Sequence, residues 1–243
     1  LLHYGMATAA CITLRVCQVR KSGSQHQRRI MAGARQVAFL LARRPRPRQF
    51  PGMSIVLASG SPRRRELLTR AGLAFEVVIS PAEEIHDPSM APDRLCEENA
   101  RLKAASVART HPHATVIGAD TLVFIDGQVL GKPADLDEAR AMLRCLSGRM
   151  HMVCTGVCVI RPGGEMLAFH ELSEVVFRVL DDAAIDAYFN LVPPLDKAGA
   201  YGIQEHGEKI VAEIHGNFEN VMGLPVARLL EVLAGGDACE LLT

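Results

Sequence analysis

The stretch that most constrains this chain is Ser54 to Leu68, SIVLASGSPRRRELL. Ile55 to Ala58 form a short apolar run with the length and composition of a buried strand. Ser59-Gly60 interrupts it, and Ser61-Pro62 opens a helix. Serine suits the N-cap, and proline at the first helical position gives up only an N–H that would have been unpaired there. Gly60 permits a tight turn and close approach of a ligand to the backbone. Arg63, Arg64 and Arg65 then fill the first turn, where the helix dipole disfavours cations. A helix start of this kind suits an anion, with phosphate the natural candidate; an exposed basic helix start is the competing reading.

The following elements can be placed from their patterns. Leu67, Leu68 and Ala71 give the first helix an apolar side, and Gly72 ends it. Phe75 to Ile79 reads as a second strand, followed by the polar turn Ser80 to Glu84. A long helix is expected from Pro92 to Arg109, with Leu95, Leu102 and Ala105 inward and Lys103 near its middle. Val116 to Ile125 reads as a strand, bent at Gly118 and closing on the hairpin turn Asp126-Gly127. Asp135-x-x-Glu138 has capping-box form and opens a helix whose apolar side is Ala139, Met142, Leu143 and Leu146. Residues 150–160 and 165–180 alternate as antiparallel strands around Pro162-Gly163-Gly164. A short helix near 181–190, the loop Asp196 to Gln204, a strand from Lys209 to Ile214 and a helix from Leu224 to Leu233 complete the pattern. Alternating and hairpin connections together predict an α/β fold with a mixed central sheet.

Charge separates the chain into two parts. Residues 1–52 carry ten of the 27 Lys and Arg and none of the 27 Asp and Glu, which leaves 53–243 with a formal charge of −10. So acidic a body is a poor binder of nucleic-acid backbone, although local cations and a divalent metal can still hold a small polyphosphate. The basic, acid-free leader admits three readings: a transit-like peptide, a nucleic-acid-binding tail, or upstream sequence joined to a chain that opens at Met53. The change in composition at Met53 favours the last, and the lack of periodicity predicts disorder in the leader. Seven cysteines without zinc-type spacing point to reduced thiols in a cytoplasmic protein. Cys154 and Cys158, four apart in a strand, share a face and are expected to pack. No window approaches the ~20 apolar residues of a membrane span.

Candidate chemistry rests on charges that are confined. Asp120 follows an apolar run inside a strand, where an ionised carboxylate is costly unless it is paired or holds a metal; a structural role is the alternative. Glu83 and Glu84 are adjacent acids in a turn, where acids are usually only solvated. Lys132, between Gly131 and Pro133, has its backbone restricted on both sides and can aim an ammonium at phosphate. Lys103 in mid-helix and Lys197 beside Asp196 have ordinary alternatives, exposure and a local ion pair. The histidines show no metal-binding spacing, and no GxSxG, paired CxxC or Walker A run occurs. The remaining set of carboxylates, lysines and arginines suits a polyphosphate with Mg²⁺ or Mn²⁺.

The segments LASGSPRRRELL (57–68), IGADTLV with the following DG and LGKP (117–133), ML to TGV (142–157), DKAGAYGIQ (196–204) and NV-x-GLP (220–225) resemble the Maf family of nucleoside triphosphate pyrophosphatases. The resemblance spans 54–235 and none of 1–52. It implies two lobes around a deep cleft, a fold related to the inosine triphosphate pyrophosphatase architecture, and a homodimer. It also implies hydrolysis of a nucleoside triphosphate to the monophosphate and pyrophosphate with a divalent cation. The family's motif residues fall on Arg63, Arg64, Glu83, Lys103, Asp120 and Lys132, with Glu83 and Asp120 as metal ligands and Ser61 at the phosphate-binding helix start. The form with SPRR, GADT and DKAGAYGIQ is similar to the branch acting on dTTP and UTP, which makes Arg63, Thr121 and Gln204 the implied base-selecting residues. Alternatives are the 7-methyl-GTP branch and a non-catalytic septum-formation regulator or nucleic-acid binder.

Overall fold

The computed structural model describes Phe50 and residues 52–235. Apart from Phe50 and Gly52, the expectations for the leader lie outside the described residues.

A seven-stranded mixed sheet carries the fold. Strand β1 (Ile55–Leu57) pairs in parallel with the two-residue β2 (Glu76–Val77) on one side and with β3 (Thr115–Ile125) on the other. Beyond β3 the order continues antiparallel through β5 (Met150–Ile160), β6 (Met166–Phe177) and β7 (Val211–His215). The short β4 (Gln128–Leu130) folds back on β3 through the Asp126-Gly127 turn, where both residues have positive φ, 51° and 76°. Two central residues at φ > 0 form the hairpin turn that matches strand twist, as the Asp-Gly pair predicts.

Helix α1 (Pro62–Arg70) buries Leu67 and Leu68, and α3 (Leu136–Leu146) buries Ala139, Met142, Leu143 and Leu146, all in one apolar cluster. The α3 cap forms as expected: Asp135 accepts from the Glu138 N–H at 2.8 Å, and Glu138 reaches back to the Ala134 N–H. Helix α4 (Asp182–Phe189) adds Ile185 and Tyr188 to the same cluster. The five-residue helix α5 (Phe218–Met222), capped by Asn217, has no counterpart in the pattern reading; the strand expected from Lys209 begins at Val211, and the last helix, α6 (Val226–Leu233), begins two residues after the expected Leu224.

Helix α2 (Pro92–Ala108) sits on a second cluster of smaller residues, Val56, Ala100, Ala104, Val107, Val116 and Cys158. It approaches the sheet through two glycines. A Cβ on Gly118 would lie 2.3 Å from the Ala100 carbonyl oxygen, and one on Gly156 would lie 2.4 Å from the Cys96 carbonyl. Gly118 is thus a site of helix contact within a strand that pairs on through it, from Val116 to Phe124. The contact also corrects the inward face expected for α2. Cys96, Asn99, Ala100, Ala104 and Val107 turn to the sheet, Ala105 is half-buried, and Leu102 stays 39 % exposed. Leu95 is buried as expected, but a helix that packs backbone-first uses its small side chains over the sheet, so Leu102 does not mark the buried side. Cys154 and Cys158 share the face of β5 covered by α2, and the free thiols of Cys154 and Cys96 lie 3.0 Å apart.

Candidate active site

Asp120 stands near the middle of β3, opposite Gly156 of β5, and is 6 % exposed. Two side chains from successive turns of α2 hold its carboxylate. Lys103 Nζ donates to Oδ1 at 2.6 Å, and Asn99 Nδ2 donates to Oδ2 at 3.2 Å. The Gly118 and Gly156 contacts bring α2 close enough for both. Lys103 also reaches Glu84 Oε1 at 2.7 Å, so a single ammonium bridges two carboxylates. Burial alone would raise the Glu84 pKa, but the Lys103 hydrogen bond and charge bring it below the usual carboxylate value. Asn99 brackets Ile85, accepting from its N–H at 2.7 Å and donating to its carbonyl, which fixes the turn after β2 against the same helix.

That bracketing decides which of the paired glutamates faces the site. Both are exposed, but Glu84 lines the cleft and Glu83 does not. The family resemblance implies Glu83, whereas it is Glu84 that shares Lys103 with Asp120. Asn99 is the residue that pattern reading missed; its signal was an amide one turn before Lys103 on an inward helix face.

The helix start behaves differently from a simple row of phosphate clamps. Ser61 occupies the N-cap position of α1 without a side-chain cap bond, and its N–H donates to Ser59 Oγ at 3.2 Å. Arg64 is buried, and three donors of its fork are committed: Nε to the Gly223 carbonyl (2.8 Å), one Nη to Ser59 Oγ (3.1 Å), the other to Thr121 Oγ1 (2.9 Å). Burial lowers its pKa, and the charge of Asp120 offsets part of that effect. Thr121 also shares a hydrogen bond with Thr155 at 3.0 Å. Arg63 points the other way, with a long contact of 3.5 Å to Asp196, and Arg65 is exposed.

Asp196 begins the loop that closes the cleft opposite α2. Buried Lys197 ties it together, donating to Asp196 at 2.7 Å and to the Pro193 carbonyl at 2.8 Å. The Gly199 N–H reaches the Gly131 carbonyl at 3.0 Å, linking this loop to the turn that carries exposed Lys132. Gly199 and Ala200 both take left-handed backbone, φ 68° and 64°. For alanine that strain is about 1 kcal/mol, and it is typical of loops shaped for a site. Tyr201 at the cleft is held by buried His151, whose Nε2 lies 2.8 Å from the phenolic oxygen.

Ser61, Arg63, Arg64, Glu84, Lys103, Asp120, Thr121, Lys132, Asp196 and Gln204 therefore line one cleft of about 850 Å³, within the range of small-molecule sites. Among the described residues no group of three or more His, Cys, Asp or Glu is arranged to hold a metal. Two carboxylates are enough for Mg²⁺ or Mn²⁺ when a phosphate substrate and water supply the other oxygens, so the donor set of Glu84 and Asp120 fits such an ion. No helix among the described residues is long and apolar enough to cross a membrane.

Comparison with known proteins follows the same boundaries. The Maf-like protein family matches residues 54–235. A dTTP/UTP pyrophosphatase of Akkermansia muciniphila is 51 % identical over 74 % of this chain and 95 % of its own length. Proteins of the same description from Deinococcus radiodurans and Bacillus mycoides are 47 % and 45 % identical, over 74 % and 76 % of this chain and 92 % and 96 % of their own. Among solved structures, the Staphylococcus aureus Ham1 protein is 17 % identical with a TM-score of 0.45, covering 75 % of this chain and 98 % of that one. The family match runs from the first strand to the last helix and takes in every cleft residue named above: the chain belongs to the Maf family.

Proposed function

We propose that this chain hydrolyses dTTP and UTP to the nucleoside monophosphate and pyrophosphate. One observation carries the reading: a single cleft joins a helix start bearing Arg63, the lysines Lys103 and Lys132, and the confined carboxylates Asp120 and Glu84. The relatives described as dTTP/UTP pyrophosphatases support the substrate.

In this scheme the triphosphate lies over the α1 N-terminus near Ser61. Arg63, Lys103 and Lys132 meet its oxygens, while Arg64 shapes the floor through its three protein acceptors. Asp120 takes the proton of the water that attacks the α-phosphorus, and pyrophosphate leaves. Glu84 and Asp120 hold the Mg²⁺ or Mn²⁺ ion, which when bound neutralises charge that builds up on the leaving group. The role that the family pattern places on Glu83 passes to Glu84, whose carboxylate already shares Lys103 with Asp120. Thr121 and Gln204 face the base, where a missing hydrogen-bond partner is penalised more heavily than a missing contact. A homodimer is the assembly that the resemblance implies.

The test is Asp120→Asn, with pyrophosphate release measured on dTTP, UTP, CTP and 7-methyl-GTP in the presence of Mg²⁺. Turnover of dTTP and UTP by the native chain and a loss on the order of 10³-fold in the variant are expected. A folded variant with near-native turnover removes Asp120 from the mechanism, and preference for 7-methyl-GTP overturns the substrate.

A further inference from the structure

The contact between α2 and β5 beside the cleft holds two thiols that the proposed chemistry does not use. Cys96 on α2 and Cys154 on β5 are both free and fully buried, and their sulfurs lie 3.0 Å apart although the residues stand 58 positions apart in the chain. A disulfide holds its sulfurs at ~2.05 Å, so about 1 Å separates the pair from a bond. The backbones have no room to supply that movement, because a Cβ on Gly156 would already lie 2.4 Å from the Cys96 carbonyl. The side chains can supply it. Cys96 Sγ need only turn away from the Asp93 carbonyl, which it meets at 3.2 Å.

The closed pair is guarded. The hydrogen bond shared with Cys154, and then burial, push the Cys96 thiol far above the ordinary cysteine range, and a protonated thiol is a poor nucleophile. Access comes from the helix start. Ala91 stands at the N-cap of α2 with no side-chain cap bond, and Cys96 lies just past the first turn. An uncapped helix end is where opening is easiest, and opening there uncovers the thiol.

We infer that Cys96 and Cys154 form a redox-sensitive pair, which hydrogen peroxide converts to a disulfide that clamps α2 onto β5 next to Asp120. The Cys96 thiolate attacks one peroxide oxygen; the O–O bond breaks, hydroxide leaves, and the sulfur becomes a sulfenic acid. The Cys154 thiolate then attacks that sulfur, the S–S bond forms and the S–O bond breaks, releasing a second hydroxide. The two thiol protons convert both hydroxides to water, so peroxide gains the two electrons that the sulfurs lose. Cys154 lies two residues before Gly156, the partner of Asp120 in β5, and Cys96 lies one turn before Asn99. The clamp therefore ties together the two elements that frame Asp120. With the backbones already in contact, it leaves Asn99 and Lys103 in reach of that carboxylate. None of this depends on which nucleotide the cleft takes.

The experiment treats the native chain with a small excess of hydrogen peroxide, with and without later dithiothreitol. The products are digested without reduction, mapped by mass spectrometry, and unfolded in urea. Expected is a peptide pair joined through Cys96 and Cys154, lighter than its two parts by two hydrogens. Closing a loop of this length constrains the unfolded chain, so the urea midpoint is expected to rise by about 1 M and to fall back with dithiothreitol. Cys154→Ala is expected to lose both the cross-link and the rise; where that variant does not fold, the map and midpoint of the native chain decide. Oxygen added at Cys96 or Cys154 without a cross-link overturns the inference, and so does a pair that peroxide leaves as free thiols. A cross-link with an unmoved or lowered midpoint overturns the clamp.

Discussion

A single ammonium shared between two carboxylates sets the chemistry available at the centre of the cleft. Lys103 neutralises part of the Glu84 and Asp120 charge, which lets two acids approach one another in a site where Asp120 is nearly out of water. Removing the Glu84 charge should therefore matter far more than removing that of its neighbour. Glu84→Gln is expected to cost about 100-fold or more in kcat, and Glu83→Gln to stay within about twofold of native, measured by pyrophosphate release from dTTP. Equal effects would mean that the turn reorients when substrate binds. At this scale much was legible. Asp120 announced itself as a charge inside an apolar strand, and Lys132 as a lysine with a restricted backbone. Choosing between Glu83 and Glu84 was not legible, because a turn has no period from which to read a direction. The choice is made by Asn99, fourteen residues on in the chain, through its two bonds to Ile85.

Between elements, the decisive contact is α2 on β3 and β5. Gly118 and Gly156 let the helix backbone come close enough for Asn99 and Lys103 to reach Asp120 directly. Gly156→Ala places a methyl carbon about 2.4 Å from the Cys96 carbonyl, so the helix must move or the strand must bend. A loss of about 3 kcal/mol in urea unfolding is expected, the upper part of the range for overpacking, together with a fall in turnover as the Asp120 contacts lengthen. Native stability in this variant would show that α2 floats on the sheet. The longer strands, the Asp-Gly hairpin turn and α3 with its capping box could be read from the chain, since each is written in local turn chemistry or a clear apolar period; the strand expected over Phe75 to Ile79 shrinks to Glu76–Val77. The buried face of α2 could be read only at Leu95, which is buried as expected. Its closest contacts with the sheet are made by Cys96, Ala100 and Ala104 against the two strand glycines, whereas an apolar count favours Leu102, which remains exposed.

Across the whole molecule, the loop Asp196 to Gln204 and the sheet are joined at a buried histidine, and that junction couples stability to pH. His151 is 1 % exposed, packed edge-on against Phe177 and Tyr201, and bonded through Nε2 to the Tyr201 hydroxyl; its Nδ1 has no partner. Burial lowers its pKa to about 4 from the ordinary 6.5. The folded chain thus keeps His151 neutral down to about pH 4, while an unfolded chain takes up the proton near 6.5. Through that window the unfolded state binds more protons, so stability is full above pH 6.5 and falls as the pH drops towards 4. Between pH 7.5 and 5 the loss from this one group is on the order of 2 kcal/mol. Glu84 acts in the same direction at lower pH, because its depressed pKa makes its contribution disappear as the carboxylate protonates. Urea unfolding of the native chain and of His151→Gln at the two pH values isolates the histidine. The variant is expected to be less stable at pH 7.5 and to lose about 2 kcal/mol less than the native chain on going to pH 5. Parallel losses in the two proteins would show that protonation of this junction is not what makes the fold sensitive to mild acid.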